Sequence, residues 1–379
     1  MASTSSSRPA EERLNPSRIR LARERRGLTK IALSGALDVS TRLLQIYETE
    51  GAPAGRARDL AFALQMPVNF FSRGEWVAVP TEQGFFRALR RATAAQRTAS
   101  RAAASLGMEM YGWIADRFTL PDIVVPELSQ HEPESAAAAL RAIWGRGSEP
   151  LPNLIQLSEA HGVRVISLPV DADAIDAFSV WADGIPYVFL STAKSAERSR
   201  FDLAHELGHL VLHMGVAARD GAASVDGRAI EKEADVFASA LLMPRETMLA
   251  HVGREPAVSQ ILGIRSYYKV SAMAATKRLY DLGRLTEWSY RQNCVQLSQR
   301  GFRTSEPGGI DRERSRVFDT VFPALRERGM GVVQVCNELA MSPQDLHGLT
   351  FGQIPIPIKG TQQPISTPRP ALRLIRGTG

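Results

Sequence analysis

Cysteine is nearly absent from this chain, which has 379 residues but only Cys294 and Cys336. Two thiols exclude a disulfide framework of several bridges and a metal site built from cysteines, and they are typical of a reducing compartment. The sequence also lacks an apolar run of about 18 residues, so no membrane-spanning helix is predicted. The Ser-rich N-terminus has no apolar secretion-signal core. We therefore expect a cytoplasmic protein that makes no membrane contact.

A large excess of one charge is also missing. The chain has 46 Lys and Arg residues against 40 Asp and Glu residues, a net charge of +6. Most of this excess lies in residues 1–74, which contain 12 basic and 7 acidic side chains. A mild, local excess of this kind is compatible with nucleic-acid binding but does not demonstrate it. The length leaves room for two or three domains.

The clearest motif is His205-Glu206-Leu-Gly-His209, which has the H-E-x-x-H spacing. Residues four apart share one face of a helix, so both imidazoles can bind one ion. Glu206 then lies beside the ion, where a general base takes a proton from water. Two histidines leave a catalytic zinc site one protein ligand short. The same five residues also occur on buried helices without metal, but the apolar flanks and a later acidic helix favour the metal site.

The third ligand is expected in Glu231-Lys-Glu233-Ala-Asp235, which opens a helical pattern of apolar residues. We favour Glu231, because Asp235 then lies one turn later and can hydrogen-bond a ligand imidazole. Glu233 is the alternative ligand and points to a different side of the helix. His213 is expected to support the site or the fold without binding metal. Three tyrosines qualify as oxyanion donors by residue type alone: Tyr187, Tyr267 and Tyr268.

Residues 15–72 predict four short helices, at 19–26, 30–37, 41–47 and 56–65. Their spacing resembles the helix-turn-helix of the Cro/C1-type (XRE) phage repressors, in which the third helix enters the major groove of DNA. Arg and Gln can read base edges, and residues at helix starts can contact phosphates. The candidate DNA contacts are Thr29, Lys30, Ser40, Thr41, Arg42 and Gln45. A helical protein-docking module with a solvated basic face is the alternative.

The rest of the chain predicts an α+β fold. We expect a connector helix over 78–120, with Gly107 as its candidate break, and a central domain over 121–310. In that domain Asp183-Gly184 predicts a β-hairpin, and 178–181 is the candidate edge strand. A C-terminal helical module is expected over 311–352. The ends are predicted to be disordered, at 1–14 and 353–379.

Two motifs carry a resemblance to a known family. Arg198-Ser-Arg-Phe and His-Glu-Leu-Gly-His-Leu-Val-Leu-His, followed by Glu-x-Glu-Ala-Asp-x-Phe-Ala-x-x-Leu-Leu-Met-Pro, resemble the ImmA/IrrE metallo-endopeptidases. With the helix-turn-helix in front, the layout is similar to fused regulators of that family over about residues 15–310. The resemblance implies a zincin-like domain with a small sheet, a divalent metal (zinc, or manganese), and cleavage of a specific repressor protein.

The sequence thus predicts a DNA-binding transcriptional regulator with a zinc-dependent, gluzincin-like endopeptidase domain. Its expected partners are an operator in double-stranded DNA, a repressor as substrate in a stress or mobile-element response, and a second copy in a homodimer. We expect it at the nucleoid. One alternative is a transcription factor whose metal domain is a sensor or dimerisation body without significant proteolysis. A weaker one is an antitoxin-like regulator whose C-terminal module binds a toxin.

Overall fold

A computed structural model of the chain describes residues 12–76, 78–79, 92–168, 175–213 and 227–356. The N-terminal helices are α1 Pro16–Arg25, α2 Lys30–Ala36, α3 Thr41–Glu50, α4 Ala57–Leu64 and α5 Ala94–Ala115. The central part contains α6 Pro133–Ile143, α7 Leu154–Ala160, β1 Arg164–Leu168, β2 Ala177–Ala182, β3 Ile185–Ser191, α8 Ala196–Leu212, α9 Gly227–Leu242, α10 Arg245–His251, α11 Val258–Tyr268, α12 Ala272–Asp281 and α13 Glu287–Gln299. The C-terminal helices are α14 Arg316–Glu327, α15 Val332–Leu339 and α16 Pro343–Leu349. Within the described ranges, no helix is long and apolar enough to cross a membrane.

Parts of the predicted disordered ends, 1–14 and 353–379, and of the predicted connector helix over 78–120 lie outside the described residues. The predicted ends are nevertheless too long. Leu14 and Ile354 are both buried in a hydrophobic core. Each packs against apolar neighbours and is therefore ordered with the fold.

The four helices predicted in the N-terminal region are present, each within three residues of the expected ends or better. Thr29 and Ser40 begin α2 and α3, and the hydroxyl oxygen of each accepts a hydrogen bond of 3.1 Å from a backbone N–H three residues later. Caps of this kind contribute about 1 kcal/mol each to stability. Leu44 and Tyr47 of α3 are buried, so the opposite face of that helix is left to solvent.

The sheet has the order β1-β3-β2, with β1 parallel and β2 antiparallel to β3. Asp183 and Gly184 join β2 to β3, and both have positive φ, 50° and 75°. Positive φ at both central positions is the requirement of a type I′ turn, which Asp-Gly meets at low cost. The predicted hairpin is therefore confirmed. The candidate edge strand at 178–181 lies in β2, at one edge of the described sheet.

The sheet lies between two hydrophobic cores, because successive strand residues point to opposite faces. Phe178, Val180 and Phe189 belong to a first core with α1–α5 and the C-terminal helices. Val188 and Leu190 face a second core that contains α6–α13. The helix with the H-E-x-x-H motif thus packs on the second face of the sheet.

The helix expected as a connector over 78–120 is a core element in its described part. The described α5 is unbroken at Gly107, where an added Cβ would lie 3.0 Å from the side chain of Ile166. Tyr111 of the same helix donates a hydrogen bond of 3.2 Å to the carbonyl of Val165 in β1. Its small residues let α5 approach the sheet closely, which explains why the predicted break does not occur and why the helix is buried.

The C-terminal helices dock on the N-terminal helices through a buried ion cluster. Asp345 in α16 lies 2.8 Å from the guanidinium groups of both Arg25 and Arg26. Glu338 in α15 accepts a hydrogen bond of 3.0 Å from the indole N–H of Trp113. The C-terminal module therefore makes its contacts within the chain, against α1 and α5.

We expect Asp345→Ala to lower the free energy of unfolding by about 3–5 kcal/mol, because it leaves the buried guanidinium group of Arg25 and the partly buried one of Arg26 without their counter-ion. Burial alone would raise the pKa of Asp345, but Arg25 and Arg26 outweigh burial and hold the pKa below its ordinary value. A pKa that is lower in the folded chain stabilises the fold above the ordinary carboxyl pKa. That stabilisation is lost as the pH falls through the lowered value.

Urea denaturation at several pH values measures this effect. Asp59→Ala is the matched control, because Asp59 pairs with Arg56 at 3.0 Å on the surface, and an exposed pair contributes at most about 1 kcal/mol. Equal stabilities of the two variants at neutral pH would contradict the predicted role of Asp345.

A strap formed by residues 306–315 runs from the second core to the C-terminal module and contacts α8. The backbone N–H of Ile310 donates a hydrogen bond of 2.9 Å to Glu197 of α8. Glu313 forms an ion pair with Arg200, which is fully buried in α8. The strap thus fixes the N-terminal half of the helix that carries the H-E-x-x-H motif.

Candidate metal centre

The two histidines of the motif converge on one point. They lie one turn apart on α8, which begins after Ser195, whose hydroxyl accepts a hydrogen bond from the backbone N–H of Arg198. The Nε2 atoms of His205 and His209 are 3.0 Å apart. Both side chains are largely buried, with exposed fractions of 16% and 13%.

Helix α9 supplies the third group because it packs closely against α8. Gly208 makes this approach possible: an added Cβ would lie 3.0 Å from the ring of Phe237 and 3.3 Å from the Cα of Ala234. The carboxylate oxygens of Glu231 lie 3.6 Å from Nε2 of His205 and 3.7 Å from Nε2 of His209. Three potential ligand atoms thus lie within 4.8 Å of one another.

Gly208→Val should push α9 away from α8, and thereby lower both stability and zinc affinity. Overpacking of this kind costs about 1–3 kcal/mol. Because Glu231 is on the displaced helix, its carboxylate should also move away from the two imidazoles. Thermal unfolding of the metal-free chain and zinc titration measure the two effects.

Gly112→Val is the matched control, because an added Cβ at Gly112 in α5 meets no atom within 4 Å. The control carries the same change in helix propensity without the steric conflict. Equal losses of stability and unchanged zinc affinity in the two variants would mean that the close approach at Gly208 does not position α9.

Outer hydrogen bonds fix the orientation of both imidazoles. Nδ1 of His205 lies 2.9 Å from the carboxylate of Asp235. Nδ1 of His209 lies 2.9 Å from Nδ1 of His213, and Nε2 of His213 lies 3.0 Å from the carboxylate of Glu233. If both ligand histidines carry their proton on Nδ1, each Nε2 lone pair is free for a metal ion.

The donor set fits a divalent metal ion. The two Nε2 atoms lie 3.0 Å apart, a separation that either a shared proton or a metal ion bound by both atoms stabilises. Ligand atoms of a tetrahedral zinc ion are about 3.3 Å apart, given bond lengths of about 2.0–2.1 Å. Here the two Nε2 atoms are 3.0 Å apart, Oε2 of Glu231 lies 3.6 Å from Nε2 of His205, and Oε1 of Glu231 lies 3.7 Å from Nε2 of His209. Two imidazoles and one carboxylate also form a ligand set of catalytic zinc sites, in which one position stays open for water.

The electrostatics of the centre favour positive charge at the same point. Burial lowers the pKa of His205, but the hydrogen bonds with Asp235 and Glu231 outweigh burial and raise the pKa to about 10. Without a metal ion, a protonated His205 therefore supplies the positive charge that neutralises part of the charge of Asp235 and Glu231. A bound cation replaces that proton, so metal binding should release protons.

Glu206 lies under the sheet beside the two histidines and is 5% exposed. Burial raises the pKa of its carboxyl to about 7, while His205 and a hydrogen bond from Ser179 oppose the rise. The hydroxyl of Ser179 in β2 donates to Oε2 of Glu206 at 2.7 Å. Sequence reasoning gave Ser179 no role, although a polar residue inside the apolar run Phe178-Ser-Val-Trp181 was a signal.

The structure separates the remaining candidates. Glu231 is beside the two Nε2 atoms, whereas Glu233 contacts His213. Tyr187 faces the first core and packs against Tyr111, with ring centroids 6.4 Å apart. It is therefore on the opposite face of the sheet from α8 and is excluded as an oxyanion donor. Tyr267 and Tyr268 lie together at the end of α11.

The candidate DNA contacts lie on the N-terminal helices. Three of them are exposed on α3: Thr41, Arg42 and Gln45. The ammonium of Lys30 contacts the carboxamide of Gln45 and lies 3.7 Å from the carboxylate of Glu48. The hydroxyl groups of Thr29 and Ser40 cap their helices. Arg42 and Gln45 are thus exposed on one helix, and Lys30 and Gln45 are held together by their mutual contact.

Comparison with known proteins supports a metallopeptidase-like function for the central region. Residues 158–280 match a family model, Peptidase_M78, described as an IrrE N-terminal-like domain. The match includes the three strands and every residue of the candidate centre, and it supports the resemblance to the ImmA/IrrE family. It does not extend to the N-terminal helices. A search of curated proteins found no match.

Proposed function

We propose that the chain is a transcriptional regulator that binds double-stranded DNA and carries a zinc-dependent endopeptidase, with manganese as the alternative ion. One observation carries the peptidase part: His205, His209 and Glu231 converge on one point, and buried Glu206 lies beside it. A purely structural metal site has no use for an uncoordinated carboxyl group in that position. The family match over the same residues supports the proposal.

The chemistry follows from the residues of the centre. A divalent ion held by His205, His209 and Glu231 would supply Lewis-acid activation of a water molecule and of the scissile carbonyl. Glu206 accepts the proton of the attacking water and passes it to the leaving amine. Burial raises the pKa of that carboxyl group above its ordinary value, which favours uptake of the proton by Glu206. Asp235 and His213 keep the imidazoles in the orientation that binds the ion.

The proposed substrate is a repressor protein bound near the same operator. An extended segment of that protein would pair with β2, the outer strand of the described sheet, as peptides do in strand addition. The DNA-binding helices would bring the peptidase to the operator where the repressor is bound, which raises the effective concentration of the substrate. A cytoplasmic, nucleoid-associated homodimer on a two-fold symmetric operator fits this arrangement.

The DNA-binding part rests on the N-terminal helices. Arg42 and Gln45 are exposed on α3 and have the side chains that bind guanine and adenine edges. Thr29, Lys30 and Ser40 lie at helix starts, where backbone N–H groups and hydroxyls contact phosphates. The basic excess of residues 1–74 supplies the non-specific attraction to DNA.

One observation favours a second candidate, a transcription factor whose metal domain acts as a sensor without proteolysis. The first hydrophobic core is continuous from the N-terminal helices to the sheet that covers Glu206. A structural change at the metal centre could therefore be transmitted to the N-terminal helices through these packed side chains. In this case metal binding would change DNA affinity, and no substrate would be cut.

The test combines both activities of the full chain. The zinc-loaded chain is mixed with its own promoter DNA and with a helix-turn-helix repressor encoded beside it. Fluorescence anisotropy reports DNA binding, and intact-mass spectrometry reports cleavage. We expect specific DNA binding and one discrete cut that a chelator abolishes. If the chain binds the promoter DNA with an affinity that depends on the metal ion, but does not cut the repressor, the sensor proposal replaces the peptidase proposal.

Arg42→Ala tests the proposed DNA binding independently of the proposed proteolysis. It should weaken promoter binding by about 5- to 150-fold, the equivalent of about 1–3 kcal/mol for a base contact, and leave cleavage without DNA unchanged. Arg291→Ala is the control, since Arg291 is an exposed arginine of α13 outside the N-terminal helices. Equal DNA binding by the two variants would overturn the role of Arg42.

A further inference from the structure

Ser179 has two sets of polar groups that face different parts of the molecule. Its side chain points to α8, where the hydroxyl donates to Oε2 of Glu206 at 2.7 Å. Ser179 is 8% exposed, so this hydrogen bond is shielded from water. Ser179 pairs with Val188 in the register of β2 and β3, and the side chain of Val188 faces the same core as α8.

The backbone of Ser179 faces the edge of the described sheet, away from β3. The N–H of Ser191 donates to the carbonyl of Asp176 at 2.8 Å, which makes that pair a hydrogen-bonded one. Such pairs alternate in an antiparallel ladder, so the backbone groups of residues 178 and 180 point to β3. Those of Ser179 point away from it. Within the described residues, no hydrogen bond to these outward groups is present.

We propose that Ser179 is a positioning residue for the peptidase reaction, which links the paired substrate strand to the general base Glu206. This inference rests on the proposed peptidase function. The hydroxyl holds one carboxylate oxygen of Glu206, while the N–H and carbonyl of the same residue point away from β3, to the side on which an extended substrate would pair. Pairing of the substrate with β2 would therefore restrain Ser179, and Ser179 in turn orients the carboxylate of Glu206.

The geometry assigns different roles to the two oxygens of Glu206. Oε2 is held by Ser179, and no hydrogen-bond donor to Oε1 is found among the described residues. Oε1 is consequently the atom left to take the proton of the attacking water. Loss of the Ser179 hydroxyl would free the carboxylate to rotate, and small errors in the orientation of a catalytic group lower the rate strongly.

The test measures kcat and KM of the zinc-loaded full chain on the repressor substrate. Ser179→Ala should lower kcat by about 10- to 100-fold, the effect expected for a hydrogen bond to a charged group. KM should change little, because the backbone groups that pair with substrate remain. Zinc affinity should also stay unchanged, because Ser179 contacts none of the three proposed ligands.

Ser179→Thr and Ser179→Val form a matched pair, because they have nearly the same shape and differ in the hydroxyl group. Thr should retain more kcat than Val by about tenfold. If both variants, and Ser179→Ala, keep the wild-type kcat, the inference is wrong although the peptidase stands. If Thr and Val lose activity equally, packing explains the effect and the positioning role is also wrong. If the wild type itself cuts no substrate, the proposed function has failed instead.

Discussion

Glu206→Gln should leave the metal ion bound and lower the rate of peptide cleavage by a factor of about 10² to 10⁴, the usual contribution of a general base. The amide has nearly the shape of the carboxyl group and still accepts the hydrogen bond from Ser179, but it cannot take a proton from water. The three proposed ligands are unchanged. Intact-mass spectrometry of the repressor substrate measures the rate, and inductively coupled plasma spectrometry measures the bound zinc.

Glu246→Gln is the matched control, because Glu246 is an exposed carboxylate of α10 and the change is chemically the same. It should cut at the wild-type rate. A Glu206→Gln variant that binds zinc and also cuts at the wild-type rate would remove Glu206 from the mechanism. Loss of zinc from the same variant would indicate that Glu206 is a metal ligand and not an uncoordinated general base.

Glu231→Gln and Glu233→Gln should have unequal effects on zinc affinity, although the two residues are only two positions apart. Glu231 lies 3.6 and 3.7 Å from the Nε2 atoms, so its loss removes a ligand. Glu233 acts through His213, and loss of such an outer partner typically weakens binding by about 10- to 100-fold. We expect a larger loss for Glu231→Gln.

Competition with a chromophoric zinc chelator measures both affinities in otherwise identical chains. The thermal stability of the metal-free variants serves as the control, because both side chains are partly exposed and neither change should unfold the chain. A greater loss in Glu233→Gln than in Glu231→Gln would reverse the assignment of the third ligand.

Much of the candidate centre could be predicted from local spacing. His205 and His209 are four residues apart, so any helix brings them together. Asp235 was expected beside an imidazole because it lies one turn beyond Glu231, and it contacts His205 at 2.9 Å. The choice between Glu231 and Glu233 depended on how α9 rotates against α8. That rotation is set by tertiary packing around Gly208 and Phe237, which periodicity does not encode.

Contacts between distant residues account for what the sequence did not predict. Ser179 and Glu206 are 27 positions apart and meet only when β2 lies across α8. Arg26 and Asp345 are 319 positions apart, so the docking of the C-terminal module left no local signal. The burial of α5 was missed for the same reason. Its alanines and Gly107 fit a solvated helix as well as one that packs closely on a sheet.

Diffraction at the zinc absorption edge, from crystals of the full chain grown with one equivalent of zinc, tests the central claim that this centre binds a catalytic metal ion. We predict one anomalous peak at about 2.0–2.2 Å from Nε2 of His205, Nε2 of His209 and a carboxylate oxygen of Glu231. A non-protein ligand should complete the coordination, with the carboxyl group of Glu206 uncoordinated beside it. A peak between His213 and Glu233, a site closed by four protein ligands, or no peak at the centre would contradict the claim.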